Sequence, residues 1–356
     1  MIGLVLIFGA IGCRRMHQPA GPLVSVSGIT MGAVPFQVTL VSTREHETDP
    51  QYWRSGILEQ LQRIDRLMST YRDDSEVSRF NAARTTDWFP VSRETAEVVQ
   101  VALDVSRQTD GAFDVTVGPL VELWHFGRDN DHAPHVPSVK NTASSAEADG
   151  VVRKAFEPPD SDEILAAKRH VGWNRLHVRL DPSALRKDDP QIQINLSAVA
   201  KGYAVDRVAE WLLENGVRSF LVEVGGEVRA GGGKPDGSPW VVGIEAPRAD
   251  RREVFRRVPL RDGALATSGD YRKFFEFNGR RFSHTIDPRT GMPVSPRVAS
   301  VSVRHDECVW ADAYATALMV LGPEDGPEFA RMYGLTTLFI LRSDGGFQTI
   351  ATGAFA

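Results

Sequence analysis

With 356 residues, 42% of them hydrophobic and 24% charged, the chain has the composition of a folded globular protein large enough for two subdomains. Its net charge of −5 and pI near 6.0 speak against a nucleic-acid binder, which would present a basic surface. Two cysteines, Cys13 and Cys308, leave no room for a disulfide framework.

Met1 to Gly12 (MIGLVLIFGAIG) is an uninterrupted run of apolar and small residues, too short to span a bilayer as a helix. It resembles the apolar core and small-residue end of a secretory signal. Ala10-Ile11-Gly12-Cys13 is similar to the box at which bacterial lipoproteins are cleaved and lipidated, although Ala10 replaces the usual Leu and no Lys or Arg precedes the run. Residues 1–13 are therefore expected to be a signal peptide ending in a lipobox cysteine, with a buried strand as the alternative. Cys308, just before an apolar helix, reads as a small buried residue.

Alternation of Phe36, Val38 and Leu40 predicts a strand within Gly32 to Val41. Ile57, Leu61, Ile64 and Met68 form one stripe of a helix over Tyr52 to Met68. Ser92 is the expected N-cap of a helix from Arg93 to Gln108, with Gly111 close to its end. The next stretch, TDGAFDVTVGPLVELWHFG, is neither helical nor alternating, and its glycines permit close backbone approach. Gly127 to Pro159 reads as a polar surface insertion; the spacing of His125, His132 and His135 fits no metal-binding face. Asp160 or Ser161 caps a helix to about Val171. A short strand at Gln191 to Ile194 precedes a helix with Ala204, Val208, Trp211 and Leu212 on one stripe. Further strands are expected at Ser219 to Val224, Trp240 to Glu245 and Ala299 to Val303. Helices over Trp310 to Leu321 and around Glu324 to Tyr333 precede a final hairpin, Leu335–Leu341 with Phe347–Ala351. Strands and helices cluster rather than alternate, which predicts an α+β fold, largely antiparallel or mixed sheets with packed helices, in two closely associated subdomains.

A second hairpin, within Ala264 to Pro293, turns at Asn278-Gly279, a pair suited to a type I′ turn. Phe282, His284 and Ile286 share one face of its second strand, which ends at the turn sequence Asp287-Pro288-Arg289-Thr290-Gly291. Asp312 and Thr316, four residues apart, lie on one helix face and offer two hard oxygen donors of the kind Mg²⁺ takes; a capping and back-bonding pair is the simpler reading of that spacing. Asn195 to Lys201 runs from strand through loop to helix with a lysine just inside, a cradle suited to phosphate, although an ordinary surface lysine would look the same. His284 on its apolar face reads as a core histidine and Asp287 as a turn-former. Neither a Rossmann nor a P-loop glycine pattern is present.

Taken together, MSTYRDDSEVSRFN, DGAFDVTVGPL, NLSAVAKGYAVDRVAEWL, VEVGGE, ATSGDYRKFFEFNGRRFSHTIDPRTGMPV and ADAYATALMVLG resemble, in order and spacing, the ApbE family of Mg²⁺-dependent FAD:protein FMN transferases. The resemblance spans roughly Met31 to Ala351, within an expected domain of residues 24–351. It implies that Met31, Tyr71, Ala112, Phe113, Asp114, Asn195, Lys201 and Ile286 bind FAD. It also implies that Asp312, Thr316 and the Ala198 carbonyl hold Mg²⁺, and that His284 and Asp287 lie beside the pyrophosphate. Many members carry Asp where this chain has Asn195. The implied reaction splits FAD, releases AMP and joins FMN by a phosphoester to a Thr of an acceptor flavoprotein, with His284 as expected general base. An FAD pyrophosphatase and a non-catalytic flavin-binding lipoprotein are the alternatives. The expected location is the periplasmic face of a bacterial inner membrane, anchored through lipid on Cys13.

Overall fold

The computed structural model describes residues 21–42, 48–127, 156–248 and 250–356. The signal and lipobox residues lie outside that range, as do His132, His135 and most of the polar insertion. Among the described residues no helix is long and apolar enough to cross a membrane.

The chain opens with β1 (Leu23–Thr30) and β2 (Val34–Val41), paired in antiparallel register from Leu23↔Val41 to Thr30↔Val34. β1 escaped the sequence reading because its alternation is carried by serines and only two buried valines, Val24 and Val26. Asp49 caps α1 (Pro50–Met68), accepting the Gln51 N–H at 2.9 Å, and Trp53, Ile57, Leu61, Ile64 and Met68 are buried along one stripe. The polar segment that follows contains α2 (Glu76–Ala82). After β3 (Phe89–Pro90), α3 (Arg93–Gln108) has the predicted bounds and the predicted Ser92 cap. The glycine-rich stretch after it folds as a 3₁₀ turn (Val115–Val117) and a short α4 (Gly118–Leu123), helical structure that its sequence had not announced.

Asp160 and Glu163 form a capping box on α5 (Ser161–Lys168). β4 (Leu176–Leu180) and β5 (Ser183–Lys187) complete a small sheet with β3. The strand expected at Gln191 to Ile194 is absent, for a local reason. The Asn81 side chain accepts the Ile194 N–H and donates to its carbonyl, both at 2.8 Å, and so replaces a neighbouring strand.

α6 (Ala200–Glu214) leads into the β6 (Phe220–Val224) and β7 (Glu227–Gly231) hairpin. β8 (Trp240–Glu245) pairs with β9 (Val254–Leu260), and β10 (Gly263–Gly269) returns to the main sheet. β11 (Phe274–Phe277) and β12 (Arg280–Ser283) form the predicted hairpin, with positive φ at both Asn278 (49°) and Gly279 (74°). The second strand stops at Ser283, earlier than its alternation suggested, and resumes as β13 (Ile286–Asp287) paired with β14 (Met292–Pro293). β15 (Val298–His305), α7 (Cys308–Met332), β16 (Thr336–Ser343) and β17 (Gly346–Thr352) complete the chain. α7 joins the two predicted helices across a break at Gly322.

The central sheet has eight strands in the order β1-β2-β6-β7-β10-β15-β16-β17, all antiparallel. One face carries the main core with α1, α3, α6 and α7; the other is covered by the β8–β9 pair through Trp240, Ile244, Val258 and Leu260. Leu176 and Leu185 of the small sheet share the main core with Val38 and Val222, so the two parts are packed into one body. This is the expected α+β architecture.

Candidate active site

The first turn of α6 meets α7 at Gly202, where any β-carbon would lie 2.4 Å from the Cys308 carbonyl oxygen and 2.8 Å from Asp312 Cβ. Glycine is needed there because the two helices touch backbone to side chain. Asp312 uses this approach: its buried Oδ2 accepts the Gly202 N–H at 3.0 Å. Gly202 is the third residue of α6, so its N–H is one of the helix-start donors that no intrahelical carbonyl serves, and Asp312 satisfies it. The helical ladder begins at the Val199 carbonyl and leaves that of Ala198 outside it. Thr316 stands one turn beyond Asp312, and its hydroxyl is hydrogen-bonded to Ser268 Oγ of β10 at 2.8 Å.

Lys201 Nζ lies 2.6 Å from Glu227 Oε1 and 3.6 Å from Asp312 Oδ1. Burial alone would lower the lysine pKa, but the Asp312 and Glu227 carboxylates outweigh it and hold the ammonium above its usual range. Burial pushes the Glu227 carboxyl up, to about 7, against the pull of Lys201. With the ammonium so close, the ionised pair is the state we assign at neutral pH.

Among the described residues no three His, Cys, Asp or Glu side chains gather as a metal-binding cluster. The Asp312 carboxylate, the Thr316 hydroxyl and the Ala198 carbonyl, which lies outside the helical ladder, are hard oxygens, a donor set of the kind that fits a Mg²⁺ ion keeping several waters. It does not suit a softer metal.

α7 is placed by a residue of α6. Its N-cap, Glu307, makes no side-chain cap; instead the buried Asp206 accepts the N–H groups of Cys308 at 2.9 Å and Val309 at 2.8 Å. The same carboxylate takes Arg229 Nη1 at 2.7 Å. Burial raises the Asp206 pKa, while Arg229 and the two N–H groups oppose the rise.

A second wall comes from residues 112–117. Ala112 and Phe113 are buried, and Asp114 accepts Thr116 N and Oγ1 at 2.8 and 2.7 Å and Trp173 N at 2.8 Å. Burial pushes the Asp114 pKa up against these bonds. Its carboxylate is therefore spent on shaping the loop. The Asn195 N–H donates to the Val115 carbonyl at 2.7 Å, which ties this wall to the loop before α6, and Asn195 Oδ1 accepts the Ser197 N–H at 2.9 Å.

The third wall is the hairpin. His284 Nδ1 is 3.1 Å from the Lys273 carbonyl, which can only accept; Nδ1 therefore carries the proton and Nε2 keeps its lone pair. Burial, then the charge of Lys273, lowers the His284 pKa to about 4, and Lys201 adds to the effect, which places the ring within the field of the ammonium. The Asp287 carboxylate is engaged twice by Arg289, at 3.0 Å on each oxygen, and also accepts the Arg289 N–H. It is thus paired with Arg289 rather than with His284. Ile286 is buried beside Trp124 and Phe282. A cavity of about 450 Å³ adjoins this wall, lined by Arg281, Phe282, Met292 and Pro293 among others, and does not include Lys201 or Asp312.

Met31, at the β1–β2 turn with φ 47°, packs against the main core, and Tyr71, 42% exposed, follows α1. Of the sequence-predicted residues the structure therefore brings Lys201 and Asp312 together, with Thr316 one turn further along α7 and Ala198 just before α6; Met31, Tyr71 and Ile286 lie elsewhere in the fold. Sequence reasoning missed Glu227, Asp206, Ser268 and Gly202. The one signal for Glu227 was a lone acid directly after Gly225-Gly226, at the start of a strand that turns out to be buried.

The fold and this ammonium-and-carboxylate centre define an α+β enzyme site suited to a phosphate-bearing substrate. The chain belongs to the ApbE family, whose profile matches residues 31–339. It is 38% identical over 355 residues to the FAD:protein FMN transferase of Vibrio cholerae serotype O1, covering 100% of this chain and 97% of that one. It is 35% identical over 351 residues to the protein of the same name from Salmonella typhimurium, covering 97% of this chain and 93% of that one. The solved structure of the flavin transferase ApbE from Vibrio cholerae superposes with a TM-score of 0.78 at 37% identity, covering 94% of this chain and 98% of that chain. The apo form of the Pseudomonas stutzeri flavinyl transferase ApbE gives 0.79 at 35% identity, covering 94% and 96%.

Proposed function

We propose that this chain is an FAD:protein FMN transferase, in which a threonine hydroxyl of an acceptor flavoprotein attacks the flavin-side phosphorus of FAD. The new bond is threonine oxygen to phosphorus; the bond broken joins that phosphorus to the bridging oxygen, and AMP leaves with it. The observation that carries this reading is the ammonium of Lys201 held between Glu227 and Asp312 at the helix crossing, a charge felt by His284, whose Nδ1 is bound to the Lys273 carbonyl and whose Nε2 is open.

Lys201 supplies fixed positive charge to the phosphoryl oxygens as their charge grows. His284 Nε2 takes the proton of the incoming hydroxyl, and the Lys273 carbonyl holds the ring in the tautomer that this needs. Mg²⁺, held by Asp312, Thr316 and the Ala198 carbonyl, would neutralise pyrophosphate charge. Backbone of 112–114, with Met31, Tyr71, Asn195 and Ile286, forms the remaining walls for FAD. Asn195 spends its oxygen on the Ser197 N–H, a task that does not require the charge of the Asp found in many members.

The test is purified protein mixed with FAD, Mg²⁺ and an acceptor subunit, with AMP and acceptor-bound FMN measured together. FMN appearing only free in solution would replace this reading with the FAD pyrophosphatase. Flavin held with no AMP released would make the chain a flavin-binding protein. Export and lipidation at Cys13 belong to the same proposal and rest on the sequence of residues 1–13. Membrane fractionation of the wild type against Cys13→Ser tests them, and equal distribution of the two would remove the anchor.

A further inference from the structure

Glu227 is an expensive residue to keep. It is 3% exposed, and its Oε2 is buried without a hydrogen-bond partner among the described residues. Taking a carboxylate out of water is costly unless its partners are excellent, and an apolar residue would serve the core better. Its one strong contact is Lys201 Nζ at 2.6 Å. The turn before it packs closely on this pair and on Val34, whose Cγ1 would lie 2.9 Å from a β-carbon at Gly225. A β-carbon on Gly225, whose φ is +65°, would lie 3.2 Å from Lys201 Cδ and 3.4 Å from Glu227 Oε2.

The competing partner of Lys201 is Asp312, 1.0 Å further away (3.6 against 2.6 Å). Lysine is a compact charge on a flexible stem, so a small movement would seat the ammonium on Asp312 Oδ1. Oδ2 is already taken by the Gly202 N–H, which leaves Oδ1 as the carboxylate oxygen open to a cation. An ammonium on Oδ1 would compete with the divalent ion for the same atom.

We propose that Glu227 is a positioning residue that holds the Lys201 ammonium off Asp312, keeping the carboxylate open to Mg²⁺ and the ammonium free to face phosphate. This rests on the reading that Asp312 holds the divalent ion. Lys201 is then poised between two carboxylates and bound firmly by the one that is not a metal ligand.

The test is Mn²⁺ binding, followed by the EPR signal of the free ion, on full-length chains without substrate. Glu227→Ala is expected to weaken Mn²⁺ binding at least tenfold. Glu227→Gln, which keeps an oxygen for the ammonium, is expected to stay within about threefold of wild type. Lys201→Met and the Lys201→Met/Glu227→Ala double variant are expected to bind Mn²⁺ equally, because Glu227 has no ammonium left to restrain. Glu227→Gln as weak as Glu227→Ala would overturn the proposal, since charge or direct ligation would then be the role. So would a double variant weaker than Lys201→Met, or Glu227→Ala binding as the wild type does. Asp312→Asn separates the two levels. If it leaves Mn²⁺ binding intact, the metal reading fails and this proposal with it. If it abolishes binding while Glu227→Ala does not weaken it, only this proposal fails.

Discussion

Asp206→Ala tests how α7, the helix that carries Asp312 and Thr316, is held. The wild-type carboxylate serves two backbone N–H groups, at 2.9 and 2.8 Å, and Arg229 at 2.7 Å, with side-chain exposures of 5% for Asp206 and 19% for Arg229. Truncation leaves Arg229 largely buried without this partner, a loss of about 3–5 kcal/mol in comparable pairs. It also uncaps α7, worth about 1 kcal/mol. The two losses share one carboxylate and do not add in full, so we expect about 4 kcal/mol in total. At about 1.4 °C per kcal/mol for a chain of this size, the thermal midpoint should fall by about 5–6 °C. Asp206→Asn, which keeps one acceptor and loses the charge, should fall between the two. The assay is thermal unfolding by circular dichroism, run with and without Mn²⁺. A shift below about 1.4 °C, equivalent to about 1 kcal/mol, would show that packing alone holds the start of α7 and refute the reasoning.

Three further outcomes follow from the same geometry. Gly202→Ala must push α6 from α7, and overpacking of this kind costs about 1–3 kcal/mol; a melting curve unchanged from wild type would contradict the 2.4 Å approach to the Cys308 carbonyl. Ser268→Ala removes the partner of the Thr316 hydroxyl; at about 1 kcal/mol per hydrogen bond, Mn²⁺ binding should weaken about fivefold in a calorimetric titration. Because the folded-state pKa of His284 is depressed to about 4 from an unfolded value near 6.5, the unfolded chain binds more protons between those values. The stability that this group contributes is therefore complete above about pH 6.5 and is lost as pH falls through 4. Transfer should likewise show no His284-dependent limb between pH 6 and 8; a limb near 6.5 that vanishes in His284→Gln would show the imidazole to be unperturbed.

Regular elements with strong end signals were legible in the sequence: Ser92 and Gly111 delimit α3, and Asn278-Gly279 sets the β11–β12 turn. Elements decided by distant partners were not. Ile194 has a strand-like sequence but takes the Asn81 amide, 113 residues away, in place of a neighbouring strand. The same applies to the site. Helical spacing put Asp312 and Thr316 on one face and Lys201 just inside a helix, but spacing alone favoured a capping pair and a surface lysine; their expected roles came from the family resemblance. Glu227 reaches Lys201 only after the sheet places β7 beside α6, and Asp206 becomes a cap only when α7 packs across its helix. Asp287, expected with His284 beside the pyrophosphate and read on its own as a turn-former, is engaged by Arg289 two residues on, a local pairing that a turn sequence favours.

The central claim is that this site moves FMN from FAD to a threonine. Intact-mass and peptide analysis of an acceptor flavoprotein subunit, incubated with the chain, FAD and Mg²⁺, tests it most directly. The account predicts an acceptor heavier by one FMN less water, located on a threonine, with one AMP released per acceptor modified and neither product formed by Asp312→Ala. An acceptor of unchanged mass while AMP and free FMN accumulate would contradict it.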